Sequence, residues 1–429
     1  MRVGLYTLGC KVSQYETEAI AEIFESRGYS ICDFSETNDI YVINTCTVTA
    51  EADRKSRQVI RRAKRTNPDA IILVCGCYSQ RSVDEVAAID GVDAVIGSAG
   101  KTELVDIAEA LIKKREQLIR VTDINSEPFE KMVITRGPRT RVYVKIEDGC
   151  ECKCTYCAIP SARGLVRSKA REDVISEVEA LSASGVREIV LTGIETGSYG
   201  QDFDNGYRLA DLIAELDSRR SAERIRLGSL APELVGESFV KKIAGLSILA
   251  PHFHLSIQSG SDSVLKAMKR RYNRTMALEN IERIRKNVQG ATFTTDIMVG
   301  FPGETDEDFE DTVDFVRRAR FLDAHVFTYS KRKNTPAEKF PNQVPESIKH
   351  ARSEQLMRVV SEVRRDVLSE ITKRAKALSV IFEEKRGELW YGHSEEFAEV
   401  AVKSEEDLHG VMKSVMPISL QNDIIIGKI

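Results

Sequence analysis

From Val3 to about Arg115, short β-rich apolar runs alternate with stretches whose apolar residues recur every three to four positions. The predicted strands are Val3–Leu8, Ile40–Asn44, Ile71–Cys75 and Ala94–Ile96. Predicted helices lie near Tyr15–Arg27, Ala52–Thr66, Ser82–Ala88 and Lys101–Lys114, with Gly28 and Asn67-Pro68 as stop signals for the first two. Such alternation predicts an open parallel sheet covered by helices. The polar stretch Thr122 to Pro138, with Pro128 and Gly137-Pro138, interrupts the pattern and reads as a linker. A second alternating series follows, with predicted strands Val142–Ile146, Glu188–Leu191, Arg224–Gly228, His252–Ile257, Thr292–Val299 and Ala324–Tyr329. Six strand–helix repeats suit an incomplete (β/α) barrel, although the period is equally that of an open doubly wound sheet. Pro345 to Leu378 reads as one long helix with an apolar stripe at Leu356, Val360, Val363, Val367 and Ile371. The runs Val380–Phe382, Ala398–Val402 and Ile424–Ile426, broken by Gly387, Gly392 and Gly410, predict a small all-β unit. So small a unit buries little surface alone and is expected to dock on the barrel. The expected division is an N-terminal α/β domain over 1–120, a barrel over 136–368 and a β domain over 371–429.

A chain of 429 residues agrees with several domains, since single cores stop growing beyond roughly 250–300 residues. With 42% hydrophobic and 30% charged residues, it is neither fibrous nor largely disordered. The start, MRVGLYTLGC, lacks the apolar core of a signal peptide, and apolar stretches such as Ala70 to Cys75 fall far below the ~18 residues of a membrane span. A cytoplasmic protein without membrane contact is expected. In that compartment nine cysteines, an odd number, are metal ligands, reactive thiols or small buried residues rather than a disulfide framework. Cys32 and Cys75 are read as buried packing residues. The formal charge of −4 leaves nucleic-acid binding open, because phosphate is held by local patches.

The densest chemical signal is Asp148-Gly149-Cys150-Glu151-Cys152-Lys153-Cys154-Thr155-Tyr156-Cys157, directly after the first strand of the second series. Cys150, Cys154 and Cys157 have the spacing C-x3-C-x2-C. Three thiolates can hold three irons of a 4Fe-4S cubane and leave the fourth open to another ligand. A zinc knot with Cys152 as fourth ligand is the alternative; loop crowding and the lack of paired C-x2-C knuckles count against it. The motif, with aromatic Tyr156 before its last cysteine, resembles the radical S-adenosylmethionine superfamily. The resemblance implies that the open iron chelates S-adenosylmethionine, whose reductive cleavage yields a 5'-deoxyadenosyl radical. It also implies cosubstrate contacts from Tyr156 to the adenine, from Gly193 to Glu195 to the methionine portion, and from Gly303.

Three further cysteines follow three successive predicted strands: Cys10 in LGCKVSQYE, Cys46 in INTCTV and Cys77 in VCGCYSQ. Ligands of open parallel sheets collect beyond the carboxyl ends of the strands, so these three are expected to converge on a second cubane. Gly9 and Gly76 just before two of them are expected to permit close approach of the cofactor. Together these features resemble the methylthiotransferase family over essentially the whole chain. The shared stretches include HFHLSIQSGSDSVLKAMKRRY (His252 to Tyr272), TTDIMVGFPGET (Thr294 to Thr305) and HVFTYSKRKNTPA (His325 to Ala337). The resemblance implies an N-terminal domain with an auxiliary 4Fe-4S cluster at Cys10, Cys46 and Cys77, a radical S-adenosylmethionine barrel, and a C-terminal RNA-binding β domain of the TRAM type.

GCK-x-x-QYE-T-E at Gly9 to Glu18 is most similar to the branch that methylthiolates carbon 2 of threonylcarbamoyladenosine at position 37 of tRNA. Two stretches depart from the family: Ser13 stands where Asn is usual, and Arg332-Lys333-Asn334-Thr335 replaces Arg-Glu-Gly-Thr. Carbon 2 of an adenine has no acidic proton and no leaving group, which calls for radical chemistry on a base taken out of the anticodon loop. An electron donor and a sulfur source are required as further partners. Three basic clusters are candidates for RNA contact: Arg54 to Arg65, Lys266 to Arg274, and Lys331 to Lys333. From Lys373 onward eight Lys/Arg face ten Asp/Glu, so charge does not support RNA binding there, and Trp390 is read as core. The alternatives are methylthiolation of isopentenyladenosine or of a ribosomal-protein aspartate, and, in another class, a non-catalytic iron–sulfur RNA-binding protein.

Overall fold

The computed structural model describes residues 1–137 and 140–429. Six parallel strands form the N-terminal sheet in the order Ser30–Cys32, Arg2–Thr7, Ile40–Thr45, Ile71–Gly76, Ala94–Ile96, Leu118–Arg120. The central strands Ile40–Thr45 and Ile71–Gly76 are buried at every position, as strands covered by helices on both faces must be. The strands Ser30–Cys32 and Leu118–Arg120 escape sequence reading because three residues carry no period. Cys32 is only half-buried on its strand, a correction to its expected packing role, whereas Cys75 is fully buried. The first helix, Lys11–Ser26, begins four residues before its expected start and has Cys10 at its N-cap. The helix expected near Ser82–Ala88 is present as Val83–Ala87, and a further short helix, Cys77–Arg81, precedes it.

The second series forms sheets of three and four strands, joined through Arg224–Leu227 by a bridge between Ile225 and Leu249. Its strands, Arg141–Lys145, Glu188–Thr192, Arg224–Leu227, His252–Gln258, Thr292–Val299 and Asp323–Thr328, lie side by side in chain order and all parallel. The short Ser229–Leu230 continues the third strand onto the fourth. Winding in one direction is that of a half-barrel, which settles the choice left open by periodicity. The N-terminal helix Lys11–Ser26 packs against the first barrel strand, and the long helix Glu346–Lys373 against the last.

The stretch read as a linker fills the seam between these two units. Met132 and Ile134 are buried; the Tyr15 hydroxyl and the Lys169 ammonium donate to the Met132 carbonyl at 2.5 and 2.9 Å, and the Ile134 amide donates to Glu177 at 2.8 Å. Pro138, at its expected end, lies outside the described residues.

Leu378, expected in the long helix, instead opens a closed five-stranded barrel of Leu378–Arg386, Leu389–Ser394, Glu399–Lys403, Ile424–Lys428 and Met412–Gln421. Closure removes the free strand edges that so small a sheet would expose. Trp390 lies in its core. As expected, this unit docks on the half-barrel, at the strand starts. There Glu188, fully buried, accepts from Arg141, from Arg224 at 3.1 Å and from Arg226 at 2.9 and 3.0 Å. The same arginines reach across the seam. Arg224 donates to the Ser379 carbonyl and hydroxyl, each at 2.7 Å, Arg226 to the Ser394 and Glu395 carbonyls, each at 3.2 Å, and Arg141 to Glu383 at 3.0 Å. Phe397 stacks between His252 and His393 at 4.4 and 4.9 Å, with Arg226 over its ring. Among the described residues no helix is long and apolar enough to cross a membrane.

Burial alone would raise the Glu188 carboxyl, but Arg226, Arg141 and Arg224 overcome it and hold the group well below the usual carboxylate range. Glu188→Gln leaves the buried Arg224 and Arg226 without their carboxylate and Arg141 with Glu383 alone, and is expected to cost about 3–5 kcal/mol in urea unfolding. Because the native pKa is depressed, this contribution is present above the unfolded value of about 4.3 and disappears as pH falls through the native value. The wild-type and Gln proteins therefore converge in stability in acid.

Candidate active site

The loop carrying Cys150, Cys154 and Cys157 is held shut at its base. Glu147–Asp148 pairs antiparallel with Arg167–Ser168, and the Cys150 amide donates to the Gly164 carbonyl at 2.9 Å. A side chain at Gly149 would meet the Leu165 carbonyl oxygen at 1.9 Å, so glycine is required there. Thr155 ties the loop to the end of the helix Asp262–Ala267: its amide donates to Met268 and its hydroxyl to Ala267. Each of the three sulfurs then faces one N–H donor at 3.4 Å: the Cys152 amide on Cys150, the Arg270 guanidinium on Cys154, and the Ile159 amide on Cys157.

Cys10, Cys46 and Cys77 follow three adjacent strands of the N-terminal sheet, and the first two flank the point where strand order reverses. They are close enough to interact: burial, then Cys77 and Cys10, push Cys46 up to about 12, and burial with Cys10 pushes Cys77 upward. Cys77 opens a short helix and accepts from Arg163 at 3.1 Å. The glycines before them are packed closely against the chain itself. A side chain at Gly9 would meet the Ser13 hydroxyl at 2.9 Å and the Cys46 β-carbon at 3.3 Å, and one at Gly76 would meet Asn44 and the Thr45 backbone at 2.6 Å. Ser13, the departure beside Cys10, brings its hydroxyl to 3.9 Å from that sulfur.

Both trios suit a metal cluster. Burial also pushes Cys157 up to about 12, so Cys46, Cys77 and Cys157 stay protonated unless a cation takes the proton's place, while the Ile159 amide on Cys157 and Arg163 on Cys77 favour sulfur carrying negative charge. Among the described residues no three His, Cys, Asp or Glu side chains converge as ligands of one ion. A cubane asks for separate corners, one thiolate to each iron.

Between the two loops lies a cavity of about 550 Å³, within the usual range for ligand pockets. Val48, Thr49 and Glu51 line it from the N-terminal domain; Tyr156 to Ile159 line it from the cysteine loop. Gln258, Asp296, Met298, His325, Phe327 and Arg332 line it from the barrel. Tyr156 packs beside Phe301, with Met298 and Tyr329 in the same apolar cluster. Gly193 and Glu195 sit behind the cysteine loop. A side chain at Gly193 would meet Glu147 at 2.4 Å, the Glu195 amide donates to Glu147 at 2.9 Å, and the Glu195 carboxylate accepts from Ala231 at 2.8 Å. Burial pushes Glu195 up to about 8 and Glu147 well above its ordinary value. Gly303 has φ +86 and donates its amide to Asn342 at 2.9 Å, and it is not among the residues lining this cavity.

Several residues of the site were not singled out in sequence as site residues. Glu147 has a buried carboxylate oxygen with no partner, beneath the cysteine loop. Arg270 and Arg332 stand in sequence clusters read as RNA-binding, yet they serve the protein. Arg270 covers Cys154, and Arg332 is buried against Thr47 at 2.6 Å and Asp53 at 2.9 Å. Arg274 is likewise paired, with Asp311 and Asp314. Asn334 takes φ +65, the left-handed conformation that the usual glycine adopts freely and that Asn tolerates, which explains that departure. Asp296 joins His254 at 3.1 Å and His325 at 3.3 Å.

An α/β N-terminal domain set on a half-barrel whose first loop carries C-x3-C-x2-C defines a radical S-adenosylmethionine protein. Residues 144–316 match the radical SAM superfamily, and residues 2–97 match an uncharacterised protein family, UPF0004. The threonylcarbamoyladenosine tRNA methylthiotransferase MtaB of Bacillus subtilis is 39% identical over 96% of this chain and 93% of its own length. A tRNA-2-methylthio-N(6)-dimethylallyladenosine synthase of Carboxydothermus hydrogenoformans is 36% identical over 82% of each chain. The solved structure of the radical S-adenosylmethionine methyltransferase TsrM from Kitasatospora setae superposes with a TM-score of 0.57, at 17% identity, over 79% of this chain and 77% of that one, and shares its fold. The chain belongs to the methylthiotransferase family of the radical S-adenosylmethionine superfamily. An iron–sulfur cluster and S-adenosylmethionine are accordingly its cofactors.

His325 is held above its ordinary pKa by its hydrogen bond to Asp296. Its favourable contribution is full below the unfolded value of about 6.5 and is lost as pH rises through the native one. In Asp296→Asn the imidazole is expected to titrate at a lower pH, which histidine-selective NMR would register.

Proposed function

We propose that this chain is a tRNA methylthiotransferase that adds a methylthio group to carbon 2 of threonylcarbamoyladenosine at position 37, using two 4Fe-4S clusters. Cys150, Cys154 and Cys157 hold one and Cys10, Cys46 and Cys77 the other. The observation that carries this reading is the shared cavity: Cys157 and its neighbours form one wall, and Val48 and Thr49, just beyond Cys46, form the opposite one. When bound, the barrel cluster with S-adenosylmethionine supplies the carbon radical, and the auxiliary cluster presents sulfur. The Cys152 amide on Cys150, the Arg270 guanidinium on Cys154 and the Ile159 amide on Cys157 stabilise thiolate charge. Val48, Ile159, Met298 and Phe327 keep water from the reacting carbon, and Tyr156 offers a ring face to adenine. Gln258, Asp296, His325 and Ser330 form a polar end that suits the urea, hydroxyl and carboxylate of a threonylcarbamoyl group better than a hydrocarbon chain. The 39% identity to the Bacillus subtilis enzyme supports the same branch. An external reductant and a sulfur donor are further requirements, and a tRNA substrate places the enzyme in the cytoplasm.

For the tRNA itself, the helix Ala50–Thr66 leads away from the Cys46 loop and lines a groove of about 470 Å³ with Tyr6, Lys55, Arg61, Arg62 and Arg65. Arg62 lies over Tyr6 at 5.3 Å and Phe34 at 4.9 Å. This groove suits the phosphates flanking a single-stranded loop.

Nucleoside mass spectrometry of tRNA from cells lacking and then regaining the gene tests the reaction. The 2-methylthio derivative of threonylcarbamoyladenosine should disappear and return; its persistence, or the loss of the isopentenyl derivative instead, would overturn the assignment. Anaerobically reconstituted protein should hold about eight irons, and about four would remove the second cluster. Cys150→Ala should abolish S-adenosylmethionine cleavage, whereas Cys46→Ala should retain it and lose sulfur insertion. Neutralising Lys55, Arg61 and Arg65 together should weaken tRNA binding and flatten its log–log salt dependence by about 0.7–0.9 for each phosphate that is no longer neutralised, with iron content unchanged.

A further inference from the structure

Arg163 ends the short helix Ile159–Arg163, six residues after Cys157, and has no solvent exposure. Its Nε donates to Cys77 of the other trio at 3.1 Å. Its two Nη groups take both oxygens of Glu16, at 2.6 and 3.1 Å, and one also reaches Asp148 at 3.1 Å. Lys145 donates to the same two carboxylates at 3.0 and 3.2 Å, and Lys101 stands 3.4 Å from Glu16. The group is buried throughout, with three cations against two carboxylates. The next pair outward, Arg167 near Asp148 and Glu130 on Thr102, adds one charge of each sign and leaves one cation in excess. An excess charge without water calls for an anion within the same enclosure, and the sulfur that Arg163 faces is the available place for it.

We propose that Arg163 is the redox-positioning residue of the auxiliary cluster: a guanidinium lent by the barrel's own cysteine loop that supplies counter-charge and a hydrogen bond to the Cys77 thiolate. It thereby raises that cluster's reduction potential and fixes its place relative to Cys157. This rests on the reading that Cys10, Cys46 and Cys77 hold a cluster. Guanidinium suits the task because it does not deprotonate and its fork engages carboxylate and sulfur at once. Positive charge and hydrogen bonds at cluster sulfur are recognised levers on potential.

The test is an electron-paramagnetic-resonance redox titration of full-length protein in which Cys150, Cys154 and Cys157 are Ala, so that the auxiliary cluster alone is observed. Adding Arg163→Gln should lower the midpoint enough to change the oxidised-to-reduced ratio at fixed poise about tenfold, which is about 59 mV for one electron. Arg163→Lys, which keeps the charge and loses the Nε donor, should lower it less. Glu16→Gln, which removes an anion from the same enclosure, should shift it the opposite way, and this decides the matter if Arg163→Gln does not take up iron. Equal potentials in iron-loaded variants, or a shift of one sign in all three, would overturn the inference. A parent protein without any auxiliary cluster would overturn the two-cluster reading and this inference with it.

Discussion

A fully buried carboxylate, Glu16, holds the two chemical halves of this molecule in register. Burial alone would raise its pKa, but Arg163, Lys101 and Lys145 hold it well below the usual range, so it stays ionised where water does not reach. It lies six residues after Cys10, while Arg163 lies six residues after Cys157. One ion-pair node therefore fixes both cysteine loops across a domain seam. A buried charge of this kind is intolerant of small displacements, because each missing partner leaves a desolvated charge behind. That intolerance suits a site whose two walls come from different domains.

The opposite end of the half-barrel is closed by the same device. Glu188 gathers Arg141, Arg224 and Arg226 at the strand starts, and their free N–H groups carry the C-terminal barrel, with Phe397 seated among them. A half-barrel leaves its lumen exposed at both ends and along one side. Here the N-terminal helix Lys11–Ser26 covers the first strand, and buried ion pairs cap each end. The outcome is a cavity with walls from two units.

The basic residues divide according to burial. Arg163, Arg270 and Arg332 are withdrawn into the protein and complete charges near cysteine loops, whereas Lys55, Arg61 and Arg65 stay at the surface along one helix. Of the inner cations, Arg163 and Arg270 face sulfur while Arg332 pairs with Asp53; charge in that low-dielectric interior acts far more strongly than charge at the surface.

Strand and helix order, the half-barrel repeat and both cysteine trios were legible in the chain, because these features are local: a period of two or of three to four residues, a spacing of three or two, a cysteine just past a strand. The three-residue edge strands, the true start of the first helix at Lys11 and the docked seam of Met132 and Ile134 were not legible, since neighbours in space rather than in sequence stabilise them. Glu16 was visible only as part of a motif, and Arg163 and Glu147 carried no sequence signal at all. Arg270 and Arg332 looked like surface charge. Which cation is buried against which anion depends on residues such as Glu16 and Arg163, 147 positions apart, meeting across a domain boundary, and no local pattern encodes that distance.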